Sequence, residues 1–242
     1  MTKFGAIIEA RMGSARLPGK VMMKVKNVPM ISLLIDRLKE VKKIKKIIVA
    51  TTVSKSDDNF CEYLKKEKIN FFRGSEKNVM KRVIDTSRKF KIKNIIQITG
   101  DCPLIDPEIV SQAINTFEKN NFDFVSNSTY RSYPDGMDVC IFSSKNLSKS
   151  YKLTSSKFDR EHVSLFMKRK KKLFSRLNII APENLNLPNL GLTLDEKKDY
   201  KLIKIIFNNF WKDRKKFSCR EIIKFLDSNK KYLLINKSVK RK

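Results

Sequence analysis

Short apolar segments alternate with amphipathic segments throughout the first 125 residues of the chain. Strand-length apolar segments lie at residues 4–9, 47–52, 70–73, 94–99 and 122–126. Between them, apolar residues recur at helical spacing at about 30–41, 58–68, 79–90 and from 107 onwards. Because strands that alternate with helices form parallel crossover units, this pattern predicts an α/β fold in which helices flank a mainly parallel sheet.

The second half of the chain is less regular. We predict a strand at 139–142, helices at 145–153 and 159–169, a short strand at 191–195, and helices at 196–210 and 219–228. No linker rich in Gly, Pro or Ser interrupts the chain, so we expect a single domain over residues 1–229. Residues 230–242 are basic, and we predict a partly disordered C-terminal tail there.

A basic loop, residues 10–20, follows the first predicted strand. Its two glycines and its proline prevent a regular helix or strand from continuing. Arg11, Arg16 and Lys20 place three cations on a segment with free backbone N–H groups, which suits a polyphosphate. The same residues also fit a solvated basic turn. The loop and residues 100–101 both follow predicted strands, at the sheet edge where ligands bind in such folds, and this favours the polyphosphate interpretation.

Two carboxylates are placed to bind a metal ion. Asp101 follows the strand at 94–99 and Asp195 ends the short strand at 191–195, and paired carboxylates suit Mg²⁺ that bridges phosphate oxygens. For Asp101, a turn or helix-capping role is an equally good interpretation of the sequence. Nucleotidyl transfer needs little beyond positioning and charge neutralisation, so these groups suffice for it. The loop matches neither the P-loop nor the dinucleotide-binding pattern.

Composition excludes several classes of protein. Four widely spaced cysteines and a single histidine do not favour a zinc site. No apolar run approaches the roughly 20 residues of a membrane helix, and no signal peptide is present, so we expect a cytoplasmic protein. The net charge of +28 raises the alternative of a nucleic-acid-binding module. However, the lysines are scattered, and we interpret the densest cluster, residues 168–172, as a solvated helix face.

Six blocks of the sequence together resemble the cytidylyltransferase superfamily, which includes the acylneuraminate and 3-deoxy-manno-octulosonate cytidylyltransferases. The blocks are residues 10–20, 73–75, 100–107, 133–139, 160–163 and 193–195. They are most similar to the spore-coat polysaccharide biosynthesis F-type branch, in the same order and over nearly the whole chain. Cys140 stands where that branch usually has a glutamate.

The resemblance implies a glycosyltransferase-A-like, Rossmann-type nucleotide-diphospho-sugar transferase fold with a mixed, mainly parallel sheet. It implies Mg²⁺-dependent transfer of CMP from CTP to a sugar acid or a phosphorylated alcohol, with release of pyrophosphate, in surface polysaccharide biosynthesis. It also implies a homodimer and gives no role to nucleic acid or membrane. A glycosyltransferase that consumes a nucleotide sugar is the alternative, although the Asp-x-Asp motif is absent after the central strand.

The resemblance also assigns roles to particular residues. Nucleotide contacts are expected from Ala10, Arg11, Gly13, Ser14, Arg16, Lys20, Thr51, Arg73 and Thr99. Catalytic roles are expected for Arg16, Lys20 and Asp101, and Mg²⁺ binding for Asp101 and Asp195. Acceptor contacts are expected from Asp135, Asp138, Arg160, Glu161 and His162.

Overall fold

A computed structural model describes residues 1–241 of the chain. Seven strands form one mixed sheet in the order β5-β4-β1-β6-β8-β7-β9, and β2 pairs with β3 in a small separate hairpin. The strands are β1 (Thr2–Glu9), β2 (Lys24–Val25), β3 (Val28–Pro29), β4 (Lys46–Thr52), β5 (Asn70–Gly74), β6 (Ile92–Thr99), β7 (Phe124–Ser126), β8 (Cys140–Ser143) and β9 (Arg176–Asn178).

Within the sheet, β8 is antiparallel to both of its neighbours, while the other pairs are parallel. The α/β fold with a mainly parallel mixed sheet is therefore confirmed. Four strands, β5, β4, β1 and β6, lie side by side and parallel, so their carboxyl ends meet at one edge of the sheet.

Nine α-helices are present among the described residues and cover both faces of the sheet. They are α1 (Met30–Lys39), α2 (Asp58–Lys66), α3 (Val79–Lys89), α4 (Pro107–Lys119), α5 (Ser144–Leu153), α6 (Lys157–Glu161), α7 (Leu165–Arg169), α8 (Lys197–Asn209) and α9 (Cys219–Asp227). Local chemistry fixes several of their starts. Asn78 caps α3 by accepting from the Lys81 amide, and Asp106 caps α4, where Pro107 occupies the first helical position.

The hydrophobic core has two parts, one on each face of the sheet. Successive side chains of a strand point to opposite faces, so Ala6 and Ile8 of β1 pack with α1, α4, α8 and α9, whereas Ile7 packs with α3, α5 and α7. All three side chains are fully buried. Strands covered on both faces explain why the sequence shows near-continuous apolar runs.

Three parts of the chain differ from the sequence-based predictions. The helix expected at 159–169 is two helices, α6 and α7, separated by residues 162–164. The strand expected at 191–195 is absent from the described structure; an extended segment there makes a single bridge between Gly191 and Asp135. Finally, residues 230–234 form a 3-10 helix, and the segment after it is bonded to the domain.

The prediction that the basic tail is partly disordered is therefore wrong for residues 230–241. Residue 242 of the predicted tail lies outside the described residues. Asn236 is buried and donates to Gly191 O at 2.9 Å and to Asp199 Oδ1 at 2.8 Å. These bonds and the burial of Val239 hold the segment in place. Within residues 1–241, no helix is both long enough and apolar enough to cross a membrane.

Candidate active site

Lys20 lies between two carboxylates at the sheet edge where β1 and β6 end. Its Nζ donates to Asp101 Oδ2 at 2.8 Å and to Asp195 Oδ1 at 3.0 Å. Arg16 Nη2 lies 2.7 Å from Asp195 Oδ2. Two carboxylates distant in sequence thus share the cations of the basic loop, as expected if the loop and the end of β6 converge on one crevice.

The charges of this cluster stabilise one another. Burial favours the neutral form of Asp101, but the Lys20 ammonium, together with hydrogen bonds from Thr99 and the backbone, outweighs burial and holds the pKa of Asp101 below its usual value. Burial also disfavours the ammonium of Lys20, but Asp101 and Asp195 outweigh it, and the pKa of Lys20 is raised. Lys20 and Asp101 are therefore both charged at neutral pH.

Asp195 is held in place by hydrogen bonds from backbone amides, since its segment does not form a strand. The Leu194 amide donates to Asp101 O at 2.8 Å and so docks the segment against the end of β6. The Asp195 amide donates to Asp199 Oδ2 at 3.1 Å. Asp199 is fully buried, and its other oxygen accepts from Arg241 Nη2 at 2.8 Å. The C-terminal strap, defined as residues 236–241, thus supports the carboxylate.

The Asp57 carboxylate links the basic loop to the end of β4. Its Oδ1 accepts from the Met12 amide at 2.7 Å, and its Oδ2 accepts from Thr51 Oγ1 at 3.0 Å and from the Thr52 amide at 3.1 Å. Thr51 is fully buried, so in this structure it supports the loop through Asp57 and exposes no surface to a ligand. At the end of the loop, Gly19 adopts a φ of 71°, a left-handed conformation that glycine accepts without strain.

Close contact between two loops requires Gly100. A Cβ at this position would lie 2.8 Å from Ala10 Cβ, which is shorter than a normal contact. The Gly100 amide donates to Glu9 O at 2.9 Å. The absence of a side chain therefore lets the end of β6 lie directly against the start of the basic loop.

A cavity of about 570 Å³, the main cleft, opens above these loops. Among the residues predicted to contact nucleotide, it is lined by Ala10, Arg11, Ser14, Arg16, Lys20 and Thr99. The two predicted metal ligands and four of the five predicted acceptor residues also line it: Asp101, Asp195, Asp135, Asp138, Glu161 and His162.

Besides Thr51, two of the predicted nucleotide residues do not line the cleft, namely Gly13 and Arg73. Gly13 is exposed on the basic loop. The Arg73 guanidinium is engaged elsewhere: its Nε donates to Thr52 O, its Nη2 donates to Ser54 O, both at 2.9 Å, and Nη2 lies 2.7 Å from Asp58 Oδ1. Arg73 therefore braces the connection between β4 and α2.

Arg131 fixes two acidic residues on the far wall of the main cleft. Its Nη1 donates to Asp135 Oδ1 at 2.9 Å, and its two Nη groups contact both oxygens of Asp138 at 2.9 and 2.8 Å. Thr193 Oγ1 donates to the second oxygen of Asp135 at 3.1 Å. Burial raises the pKa of Asp138, although Arg131 partly offsets this effect.

A second cavity of about 320 Å³, the side pocket, adjoins the main cleft. The two cavities share Glu9, Thr99, Asp138, Glu161 and His162. The side pocket extends to Gln97, Ser128, Cys140, Phe158, Leu165 and Lys168. Arg160 lines neither cavity, because its Nη2 donates to Thr154 O at 3.2 Å and its guanidinium stacks on Tyr151 at 4.9 Å.

Four charged residues that line these cavities were missed in the sequence-based assignment. They are Glu9, Arg82, Arg131 and Lys168. Burial raises the pKa of Glu9 to about 7, against the opposing charge of Arg82. Glu9 could have been found, since it is a charged residue that ends an apolar strand at the ligand-binding edge. Arg82 is a buried charge in the middle of α3, and nothing in the sequence pattern marks it.

Lys168 is the clearest correction among these residues. The sequence suggested that it belongs to a solvated lysine face, and this interpretation is wrong for Lys168. Its Nζ donates to Ser128 Oγ at 2.9 Å inside the side pocket. The neighbouring residues 170–172 are exposed, as expected.

The acidic residues do not by themselves form a complete metal cage. Among residues 1–241, no group of three or more His, Cys, Asp or Glu side chains is arranged to hold a metal ion. A site made of Asp101 and Asp195 alone would suit a cation that takes its remaining ligands from water and substrate, as Mg²⁺ does.

Adjacent parallel strands whose shared edge carries a cationic, glycine-containing loop opposite paired carboxylates are the arrangement expected of a nucleotide-dependent transferase. The chain matches the family model described as "Cytidylyltransferase" over residues 5–239. It therefore belongs to the cytidylyltransferase family and is a nucleotidyltransferase.

Similar proteins come from bacteria and archaea. The chain is 36% identical over 240 residues to an uncharacterised protein of Methanocaldococcus jannaschii, covering 99% of this chain and 97% of that protein. It is 31% identical over 229 residues to the spore coat polysaccharide biosynthesis protein SpsF of Bacillus subtilis, covering 92% and 93% of the two chains. A solved cytidylyltransferase structure from Leptospira borgpetersenii superimposes with a TM-score of 0.90 at 29% identity, covering 96% of this chain and 97% of that one.

Proposed function

We propose that this enzyme transfers CMP from CTP to a hydroxyl of a sugar acid or a related phosphorylated acceptor and releases pyrophosphate. The observation that carries the proposal is the placement of Lys20 between Asp101 and Asp195, with Arg16 beside them, at the floor of the main cleft. Membership of the cytidylyltransferase family supports CTP as the nucleotide.

In this reaction the acceptor oxygen bonds to the α-phosphorus while the bond from that phosphorus to the pyrophosphate oxygen breaks. Arg11, Arg16 and Lys20 neutralise the triphosphate and the negative charge that the departing pyrophosphate gains. The acceptor hydroxyl also loses a proton. Glu9 lines both the main cleft and the side pocket, and we propose that it receives that proton.

Asp101 and Asp195 fit a Mg²⁺ ion. They converge on one cation in the structure, and carboxylate oxygens are the ligands that Mg²⁺ takes in nucleotide-binding enzymes. A bound Mg²⁺ would supply charge neutralisation on the phosphate oxygens. Lys20 already supplies one positive charge at this position, so the two carboxylates are held in place before any nucleotide binds.

The side pocket is the proposed acceptor site, because it adjoins the main cleft and shares Asp138, Glu161 and His162 with it. We further propose that the reaction takes place in the cytoplasm, where CTP is made, and that it serves the synthesis of a surface polysaccharide. The similarity to the Bacillus subtilis spore coat protein supports that setting. The homodimer stays a prediction, to be tested by light scattering.

The test is a pyrophosphate-release assay of the four nucleoside triphosphates against a panel of sugar acids and phosphorylated alcohols, with and without Mg²⁺. Lys20→Met is compared with Lys24→Met, an exposed residue nearby whose side chain does not line the main cleft. We expect release with CTP, none without Mg²⁺, a loss of about 100-fold or more in Lys20→Met, and little change in Lys24→Met. Equal turnover with all four nucleotides, or undiminished release by a folded Lys20→Met protein, would refute the proposal.

A glycosyltransferase and a nucleic-acid-binding module were the two alternatives from the sequence. The glycosyltransferase predicts hydrolysis of nucleotide sugars without formation of pyrophosphate, and the same assay detects this. Specific retention of RNA or DNA in a filter-binding assay at about 0.15 M salt would favour the nucleic-acid-binding module.

A further inference from the structure

The side pocket runs along the edge of the sheet, away from the site of transfer. Its floor begins at Glu9, at the end of β1, crosses Gln97 on β6 and Cys140 on β8, and ends at Ser128, just beyond β7. These four strands are adjacent in the sheet. Three strand spacings of about 4.8 Å make the floor roughly 14 Å long, so its two ends are far enough apart to contact opposite ends of a sugar-sized molecule.

Lys168 occupies the remote end of this floor. Its Nζ donates to Ser128 Oγ at 2.9 Å, and Ser128 does not line the main cleft. In the described part of the chain, Lys168 makes no salt bridge. Asp138, the carboxylate whose pKa is lowered by the charge of Lys168, already has both oxygens bonded to Arg131. Lys168 is also the sole lysine or arginine lining the side pocket, so its charge is available to a ligand.

The backbone that places Lys168 in the pocket is strained. Val163 separates α6 from α7 with a φ of 35°, in the left-handed region that a β-branched residue rarely adopts. Such conformations persist where the surrounding structure enforces them, and they are frequent at ligand-binding sites. Here Val163 is fully buried, and the break that it makes lets His162, Leu165 and Lys168 all line one pocket.

From this arrangement we propose that Lys168 and Ser128 bind an anionic group of the acceptor at the end remote from the hydroxyl that receives CMP. The group is a carboxylate or a phosphate, because either accepts charge-assisted hydrogen bonds from an ammonium and a hydroxyl. The inference rests on the proposed function and deepens it. The acceptor then carries an anionic group that takes no part in the reaction but determines which acceptor the enzyme binds.

Three matched six-carbon probes test the proposal: gluconate, glucitol 6-phosphate and uncharged glucitol. Their binding to the full-length protein with CTP present is followed by NMR shifts of the Ser128 and Lys168 amides. We expect at least one of the two anionic probes to bind tighter than glucitol by a factor of about ten or more. A hydrogen bond to a charged group contributes roughly 1.5–3 kcal/mol, which corresponds to such a factor. The preference between gluconate and glucitol 6-phosphate identifies the anion.

Two variants complete the design. Lys168→Met should abolish the preference for the anionic probes and leave CTP binding unchanged, and Lys168→Arg should retain part of it. Lys171→Met removes the same charge from an exposed position outside the side pocket and should behave as wild type. Equal binding of charged and neutral probes, no saturable binding of either anion, or a preference that survives in Lys168→Met would each overturn the proposal. Because CTP binding is measured separately, its loss would instead count against the proposed function.

Discussion

Replacing Glu9 by glutamine removes a charge that the folded protein does not favour. Burial raises the pKa of Glu9 from 4.5 to about 7, so the folded state holds a proton that the unfolded state releases. Below about pH 4.5 the carboxyl is neutral in both states, and it has no effect. Between pH 4.5 and about 7 the unfolded state binds fewer protons, so the stability of the wild type falls as the pH rises.

The size of this effect follows from the pKa difference. Each pH unit corresponds to about 1.4 kcal/mol, so ionising Glu9 costs the folded protein up to about 3 kcal/mol at pH 8. This figure is an upper limit, because Glu9 lines a cleft that is open to water. A glutamine keeps the acceptor for Gln97 Nε2, which lies 2.7 Å from Glu9 Oε1, so the geometry of the site is retained.

Urea unfolding of the wild type and Glu9→Gln at pH 4.5 and pH 8 measures the effect. We expect the variant to gain stability relative to the wild type as the pH rises, by up to about 3 kcal/mol between these two values. Glu62→Gln, at an exposed position on α2, is the control for the loss of one carboxylate. A stability difference between Glu9→Gln and the wild type that is independent of pH would refute the reasoning. If Glu9 also receives the proton of the acceptor, turnover of the wild type should rise with pH as Glu9 ionises near pH 7. The Glu9→Gln variant should not show this rise.

Two further predictions concern the support of the site. Asp57→Asn should lower the free energy of unfolding by about 2–3 kcal/mol in urea and weaken CTP binding, because its amide group would face the donors of Met12 or Thr52. Arg241→Ala should leave the buried Asp199 without its cation, lowering the thermal midpoint and pyrophosphate release together; unchanged release would mean that Asp195 is positioned without the C-terminal strap.

Much of the scaffold could be predicted because its signals are local. Strands buried on both faces give apolar runs, and the Asp106–Pro107 pair marks the start of a helix in sequence as in structure. The floor of the main cleft could be predicted for a related reason. Both the basic loop and Asp101 follow such strands directly, and parallel strands bring their ends together.

The remaining features depend on contacts between distant segments. The arrangement of Arg131 with Asp135 and Asp138 requires the turn at 131–138 to fold back on itself, which residue types alone do not encode. The break at Val163 interrupts the single helix that the spacing of apolar residues predicts for 159–169. Val163 is fully buried, and its tertiary packing overrides the preference of a β-branched residue for a negative φ. Order in the C-terminal strap comes from Asp199, a buried carboxylate that accepts from Asn236 and Arg241.

The C-terminal strap also joins one of the first segments of the chain to one of the last. Arg16 Nη1 donates to Lys240 O at 3.3 Å, and Arg241 lies against Gly191 and Asp199. A ribosome that adds 5–20 residues per second needs roughly 10–45 s to pass from the codon of Arg16 to that of Arg241. All strands of the sheet have been synthesised before Arg241, the last support of Asp195, is added. The C-terminal strap therefore supplies the last residues that support the main cleft in order of synthesis.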